Sequence, residues 1–421
     1  MRLRCYYCGV TPNISRLRWL LPVVLSALTL SGAEPAKKKK RGADGRVELT
    51  ADLPAGARTL ALGEKCPDFE LNGVDGRMYR LADFDRSKLL LVVFLSNNCP
   101  YSHAAEKRLI ALAREFASRG LAVVAINPNH PEAVALAELG YGKYNDSFDE
   151  SVLYAKEQGF PFPYLYDGDT QVTAKAFGCL ATPHVFLFDG ERKLRYTGRV
   201  DDSRFEGPAT VTSPDARNAV VALLEGKAVT VPTTPVVGCA TKWKSKAKDV
   251  AAAEARANSD PVVVERAGAE AIAALVQGES KRLRVVNVWA TWCAPCVVEF
   301  PELVTVARRF ANRDFELITV SMDSPAQEAQ VKRFLEKQGA APSNRLRRQL
   351  AADGRTTTHY LYSDASTDAL IRAIDPDWPG PLPHTVVVAP SGKVVYRHNG
   401  PVDPRQLLDV ILRELGTYYL P

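Results

Sequence analysis

Residues 182–196 read TPHVFLFDGERKLRY, and residues 382–396 read LPHTVVVAPSGKVVY. The two align without a gap, so Pro183, His184, Lys193 and Tyr196 coincide with Pro383, His384, Lys393 and Tyr396. After a two-residue slip, Gly198-Arg-Val-Asp201 matches Gly400-Pro-Val-Asp403. This repetition limits the chain to folds that one half can build and the other can build again. Each stretch is a pair of apolar-rich runs around a turn, Asp189-Gly190 or Ser391-Gly392, the pattern of a β-hairpin. The order before each hairpin is also shared. A nearly continuous apolar run, KLLLVVFL (88–95) or RVVNVW (284–289), reads as a strand buried on both faces. A cysteine turn follows, then helical spacing over Ser102–Gly120 or Pro295–Phe310, then a second strand over Leu121–Ile126 or Phe315–Val320. Helical patterns over Ala216–Leu224 and Gln406–Leu415 close the halves. Strands alternating with helices predict an α/β chain of two tandem domains, each a central mixed sheet flanked by helices.

The start of the chain is of another kind. Arg2, Arg4, Arg16 and Arg18 precede and flank a short apolar run, Trp19–Leu30, which ends in Ser31-Gly32-Ala33. That is the layout of a cleaved secretory signal over residues 1–33. The alternative is an uncleaved membrane anchor, although a run of 12 residues is short for a bilayer. Most of the formal net charge of +6 lies in those four arginines. The run KKKKR (37–41) sits in a polar stretch, and residues 34–57 read as a solvated tether. No basic face recurs further on, so no nucleic-acid partner is expected. The domains are expected at 58–245 and 260–421, with a linker at 246–259.

Of eight cysteines, Cys5 and Cys8 fall in the expected signal. The other six are too few to staple a small disulfide fold. The informative ones lie in VNVWATWCAPCVVEFPEL (286–303), where Cys293 and Cys296 bracket Ala294 and Pro295 at a strand-to-helix junction. Cysteines at i and i+3 on a first helical turn can close a disulfide. The first sits where unpaired N–H groups and the helix dipole favour a thiolate, the attacking species in disulfide exchange. Pro295 suits that turn, because its missing N–H would have had no partner. A zinc half-site is the competing reading, but no second ligand pair follows at the required spacing. No metal or other cofactor is expected.

WCAPC followed by Pro301 resembles thioredoxin. VWATWCAPCVVEFPEL and ALIRAIDPDWPGPLPHTVVVAPSGKVVY (369–396) resemble the exported TlpA/ResA-like thiol-disulfide oxidoreductases over about residues 260–416. The resemblance implies a nucleophile at Cys293, a resolving thiol at Cys296, and a cis-proline at Pro383 that faces the pair. It also implies an acidic residue at Glu299 that tunes their protonation, against the plain reading of a solvated helix residue. The sequence departs from thioredoxins at Leu382, before that proline. Residues 339–368, with His359, Tyr360 and Tyr362, read as an insertion that either shapes the substrate groove or is a passive loop.

In the first half the cysteine turn is FLSNNCPYSH (94–103), with Ser102 where a second cysteine would stand. Here GEKCPDFEL (63–71), NNCPYS (97–102), VVAINPN (123–129), FPFPYLYD (160–167), TPHVFLFDGERKLRYTGRVDD (182–202) and VVGCATKW (236–243) resemble the redoxin, AhpC/TSA or peroxiredoxin-like branch of the same fold. The resemblance makes Cys99 the principal thiol and Pro183 the cis-proline opposite it. Ser96 fills the hydroxyl position of a peroxidatic site, but Val92 stands where its proline should be. Ser102 excludes a vicinal disulfide, so a resolver must come from elsewhere. Cys179 and Cys239 are the candidates, Cys179 being equally readable as a core residue, while Cys66 reads as a buried small hydrophobe. His103 either lowers the Cys99 pKa or is a helix-surface residue. A Cys99/His103/His184 metal site is a further alternative.

The expected function is that of an exported, periplasmic or extracytoplasmic thiol-disulfide oxidoreductase, reducing protein disulfides through Cys293 and Cys296. Its expected partners are protein disulfide substrates and a membrane or extracytoplasmic thiol electron donor. One alternative is a fused peroxidase-reductase, in which Cys99 reduces peroxides and the Cys293/Cys296 pair recycles it. Another makes the first domain a docking module without chemistry.

Overall fold

The computed structural model describes residues 53–419, so the expected signal and most of the expected tether lie outside the described residues. In the first half the elements run β1 (Glu70–Gly73), β2 (Met78–Arg80), β3 (Leu89–Phe94), α1 (Pro100–Phe116), β4 (Leu121–Asn127), α2 (Phe148–Gln158), β5 (Tyr164–Tyr166), α3 (Val172–Phe177), β6 (Ala181–Thr182), β7 (His184–Phe188), β8 (Leu194–Gly198), α4 (Asp215–Leu224) and β9 (Cys239–Ala240). Seven strands form one sheet in the order β2-β1-β5-β4-β3-β7-β8, and β6 pairs with β9 in a separate two-stranded ladder. Strands β3, β4 and β5 run parallel, and β7 returns antiparallel to β3. Every residue of β3 is buried, and its alternate side chains enter different clusters. Leu89, Leu91 and Val93 pack with α1 and α4 residues such as Leu109, Phe116 and Val220. Leu90, Val92 and Phe94 pack on the other face with Phe177, Phe186, Phe188 and Trp243.

The stretch expected as a linker is helical: α5 spans Ala247–Asn258. The second half then runs β10 (Glu265–Ala267), α6 (Ala269–Gln277), β11 (Leu283–Trp289), α7 (Ala294–Arg309), β12 (Phe315–Ser321), α8 (Glu328–Lys337), α9 (Asn344–Ala352), β13 (His359–Tyr362), α10 (Thr367–Ile374), β14 (His384–Val388), β15 (Val394–Asn399) and α11 (Pro404–Leu415). The sheet order is β10-β13-β12-β11-β14-β15. The segment read as an insertion is corrected here. His359–Tyr362 is a fully buried strand, parallel to both β12 and β10. Its pattern HYLY places Tyr360 and Tyr362 in one core cluster and Leu361 in another, as a strand with two covered faces requires.

Both halves are therefore thioredoxin-like sheets flanked by helices, and their registers agree. Phe94 pairs with His184, and Val288 pairs with His384. Cys99 and Cys293 each lie five residues past that paired strand position, at the N-cap of α1 and of α7.

The halves meet at the C-terminal end of α7. Arg309 Nε donates to the Leu139 carbonyl at 3.0 Å, and its Nη2 to that of Gly142. Arg313 Nη1 donates to the carbonyls of Gly140 at 2.6 Å and Gly416 at 3.0 Å, while its guanidinium lies 4.2 Å from the Tyr141 ring centre. At a rise of 1.5 Å per residue, the 16 residues of α7 put Cys293 about 24 Å along the helix from this contact. Among the described residues, no helix is long and apolar enough to cross a membrane.

Candidate functional site

Strand β11 ends in Trp289, and the chain turns through Thr291 before entering α7. Asp323 fixes that turn by accepting the Thr291 N–H at 2.9 Å and the Thr291 hydroxyl at 2.5 Å. Cys293 and Cys296 are joined as a disulfide with their Cα atoms 5.3 Å apart. The Cys296 N–H points at Cys293 Sγ, 3.4 Å away, so the first sulfur takes up one of the unpaired donors of the helix start. The two sulfurs are unequally placed: Cys293 is 6% exposed and Cys296 is sealed. Trp292 beside them is 64% exposed. The wall behind the pair is aromatic, with Trp289 against Phe300 at 4.6 Å and Phe334 at 4.8 Å. Leu382 packs against the same cluster, and the Leu382–Pro383 bond is cis.

Glu299, one turn past Cys296, is buried. Its Oε1 accepts from Asn287 Nδ2 at 3.0 Å and its Oε2 from the Val402 N–H at 2.9 Å. Burial raises its pKa against these two bonds. The two paired histidines are held neutral: burial lowers His184 to about 3 and lowers His384 as well. His184 accepts the Leu180 N–H at Nδ1, and His384 is stacked on Trp378.

In the first half Cys99 is fully buried at the start of α1, with Pro100 in the first helical turn. Its Sγ lies 3.0 Å from the Thr182 carbonyl oxygen, and the Thr182–Pro183 bond is cis. Across the short ladder, Thr182 pairs with Cys239, which brings the Cys239 side chain beside the Cys99 sulfur. Burial works against the Cys99 thiolate. The Cys239 side chain and the N–H groups of Ser102 and Cys239 outweigh it and hold the thiol down at about 6.

The remaining residues singled out in the sequence lie elsewhere. Ser96 donates to Asp146 Oδ2 at 2.9 Å rather than to the cysteine. Cys179 is buried against Thr241 and the Ala181 carbonyl, and burial raises it to about 12. Cys66 is buried in the core and raised to about 12 for the same reason. His103 bridges the carbonyls of Asn97 and Thr417. Among the described residues, no cluster of His, Cys, Asp or Glu side chains is placed to hold a metal.

Asp146 was not singled out from the sequence, yet it organises the Cys99 turn. It accepts from the Ser96 hydroxyl, the Asn97 N–H and the amides of Asn98, Asn127 and Asn129, all at 2.8–3.0 Å. The asparagines of NNCPYS and VVAINPN were the available signal: buried amides at two strand ends need a shared acceptor.

The AhpC/TSA family profile matches residues 62–197 and 269–397, together more than half the chain. Thiol:disulfide interchange protein DsbE of Escherichia coli K12 is 25% identical over 148 residues, covering 34% of this chain and 69% of its own. Thiol-disulfide oxidoreductase ResA of Halalkalibacterium halodurans is 26% identical over 145 residues, covering 32% and 69%. A solved hypothetical protein of Sinorhizobium meliloti aligns at a TM-score of 0.40 with 39% identity, over 45% of this chain and 98% of its own. The profile matches each half separately, around Cys99 and around Cys293, and the chain thus belongs to the AhpC/TSA family through both.

Proposed function

We propose that the protein is an exported thiol-disulfide oxidoreductase that reduces disulfides in protein substrates through Cys293 and Cys296. The observation that carries this reading is the disulfide across the first turn of α7, with Cys293 slightly exposed and Cys296 sealed. In the reduced protein Cys293 ionises at the helix start and attacks a substrate sulfur. The substrate S–S bond breaks, and the first substrate thiolate leaves and takes a proton. Cys296 then attacks Cys293 Sγ, the mixed disulfide breaks, and the second substrate thiol departs. Glu299 is the group proposed to hold the Cys296 proton, since it is a buried carboxyl on the same helix with a raised pKa. Relatives named as a thiol:disulfide interchange protein and a thiol-disulfide oxidoreductase support the chemistry. Arg2, Arg4, Arg16, Arg18 and the apolar run after them support export. A thiol donor outside the cytoplasm or in the membrane would restore the dithiol.

Trapping tests this reading. Cys296→Ser should accumulate mixed disulfides with protein substrates at Cys293, and Cys293→Ser should lose insulin-type disulfide reduction altogether. Full insulin reduction by Cys293→Ser would overturn it.

A further inference from the structure

We propose that Cys99 and Cys239 form a second dithiol–disulfide couple, with Cys239 resolving across the β6–β9 ladder as Cys296 is proposed to do within α7. The proposal does not depend on the Cys293/Cys296 reading. Its basis is convergence on one residue. Thr182 meets Cys99 Sγ through its carbonyl and pairs with Cys239 through the ladder. Gly238 makes the approach possible, because a Cβ there would overlap the Thr182 carbonyl oxygen. Two buried hydroxyls at the site, Thr182 Oγ1 and Ser102 Oγ, have no hydrogen-bond partner in the structure. A thiolate at Cys99, beside Thr182 and faced by the Ser102 N–H, would add an acceptor at this site.

The other thiols are badly placed for the task. Cys179 is occupied by Thr241 and Ala181, and Cys66 faces the Pro67 carbonyl in the core. Cys293 lies about 24 Å along α7 from the Arg309 contact between the halves. The Cys293–Cys296 pair is closed on itself, whereas the neighbours of Cys99 are Thr182 and Cys239.

The roles within the couple follow from its electrostatics. Cys99 is the better thiolate, while its proximity raises Cys239 well above the usual thiol range. Cys99 therefore attacks first and Cys239 begins protonated. With a disulfide as oxidant, Cys99 attacks one of its sulfurs, that S–S bond breaks, and the departing thiolate takes a proton from solvent. Cys239 then loses its proton and attacks Cys99 Sγ, and the second thiolate leaves and is protonated. The oxidant has gained two electrons and two protons, and the protein has gained one S–S bond.

Peptide mapping of the full chain decides the matter. Reduced protein is treated with oxidised glutathione, its free thiols are alkylated, and it is digested without reduction. The expected product is a Cys99 peptide linked to a Cys239 peptide, independent of whatever happens at Cys293 and Cys296. The link should persist in Cys179→Ser. In Cys239→Ser, Cys99 should instead accumulate as its glutathione mixed disulfide. A wild-type chain in which Cys99 stays alkylated, stays glutathionylated or links to any other cysteine overturns the proposal.

Discussion

Both carboxylate oxygens of Glu299 accept N–H groups, yet the side chain still ionises less readily than an ordinary glutamate. Desolvation has won over hydrogen bonding. The consequence for stability has a definite sign. The unfolded chain loses this proton in the ordinary glutamate range, while the folded chain keeps it to higher pH. Between the two the folded state binds more protons, so stability falls as pH rises through that window. Glu299→Gln should abolish this segment of the pH dependence. It should also cost about 1–3 kcal/mol at low pH, because an amide offers only one acceptor to the Asn287 and Val402 N–H groups. Urea midpoints across the acid-to-neutral range would check it, and an unchanged slope would count against the carboxyl's raised pKa. Glu299 was legible through the family resemblance, which marks an acidic residue one helical turn past Cys296. Asp146 was not, because its partner Asn98 lies 48 residues away and only the folded sheet brings β3 and β4 ends to one acceptor.

At the scale of elements, the parts that could be read were those whose periodicity spans many residues. Strands β3 and β11, helices α1 and α7, and both hairpins fall where the apolar patterns place them. Strand β13 did not, since four residues after an arginine-rich helix carry little periodic signal. The ladder β6–β9 has two residues on each side and no pattern at all, yet it brings Cys239 to the Cys99 site. Its weakness makes it testable. Gly238→Ala forces a Cβ into the Thr182 carbonyl, so the ladder must open while the main sheet, which does not include it, stays paired. The expected cost is about 1–3 kcal/mol. The Cys99–Cys239 link should fall to a minor product in the mapping experiment. Circular dichroism with peptide mapping would show both, and an undiminished link in a folded variant would mean the ladder does not set the approach.

Over the whole molecule, the two halves are held together by arginines reaching backbone carbonyls, a kind of contact with no sequence signature beyond the arginines themselves. Arg309 crosses to the Leu139 and Gly142 carbonyls, while Arg313 crosses to Gly140 and also ties down the end of its own half. Arg313 bonds the carbonyls of Gly140, Leu415 and Gly416 and lies over Tyr141. Just beyond Gly416 the Thr417 carbonyl meets His103, and Tyr419 packs 5.3 Å from Tyr101, two residues past Cys99. The end of the second half is thereby fixed beside the thiol of the first. Arg313→Ala leaves several part-buried carbonyls without their donor, at about 1–3 kcal/mol for each one that water does not reach. An ordinary surface substitution would cost far less. A lowered thermal midpoint is the first expected outcome. The second is specific to the site: Cys99 and Cys239 should alkylate faster than in the wild type, while Cys293, at the far end of α7, should not change. Peptide-resolved alkylation rates on the reduced protein would measure this. Equal acceleration at all three thiols would mean global loosening, and no acceleration at Cys99 would mean that the segment 416–419 does not shield the first-half thiol.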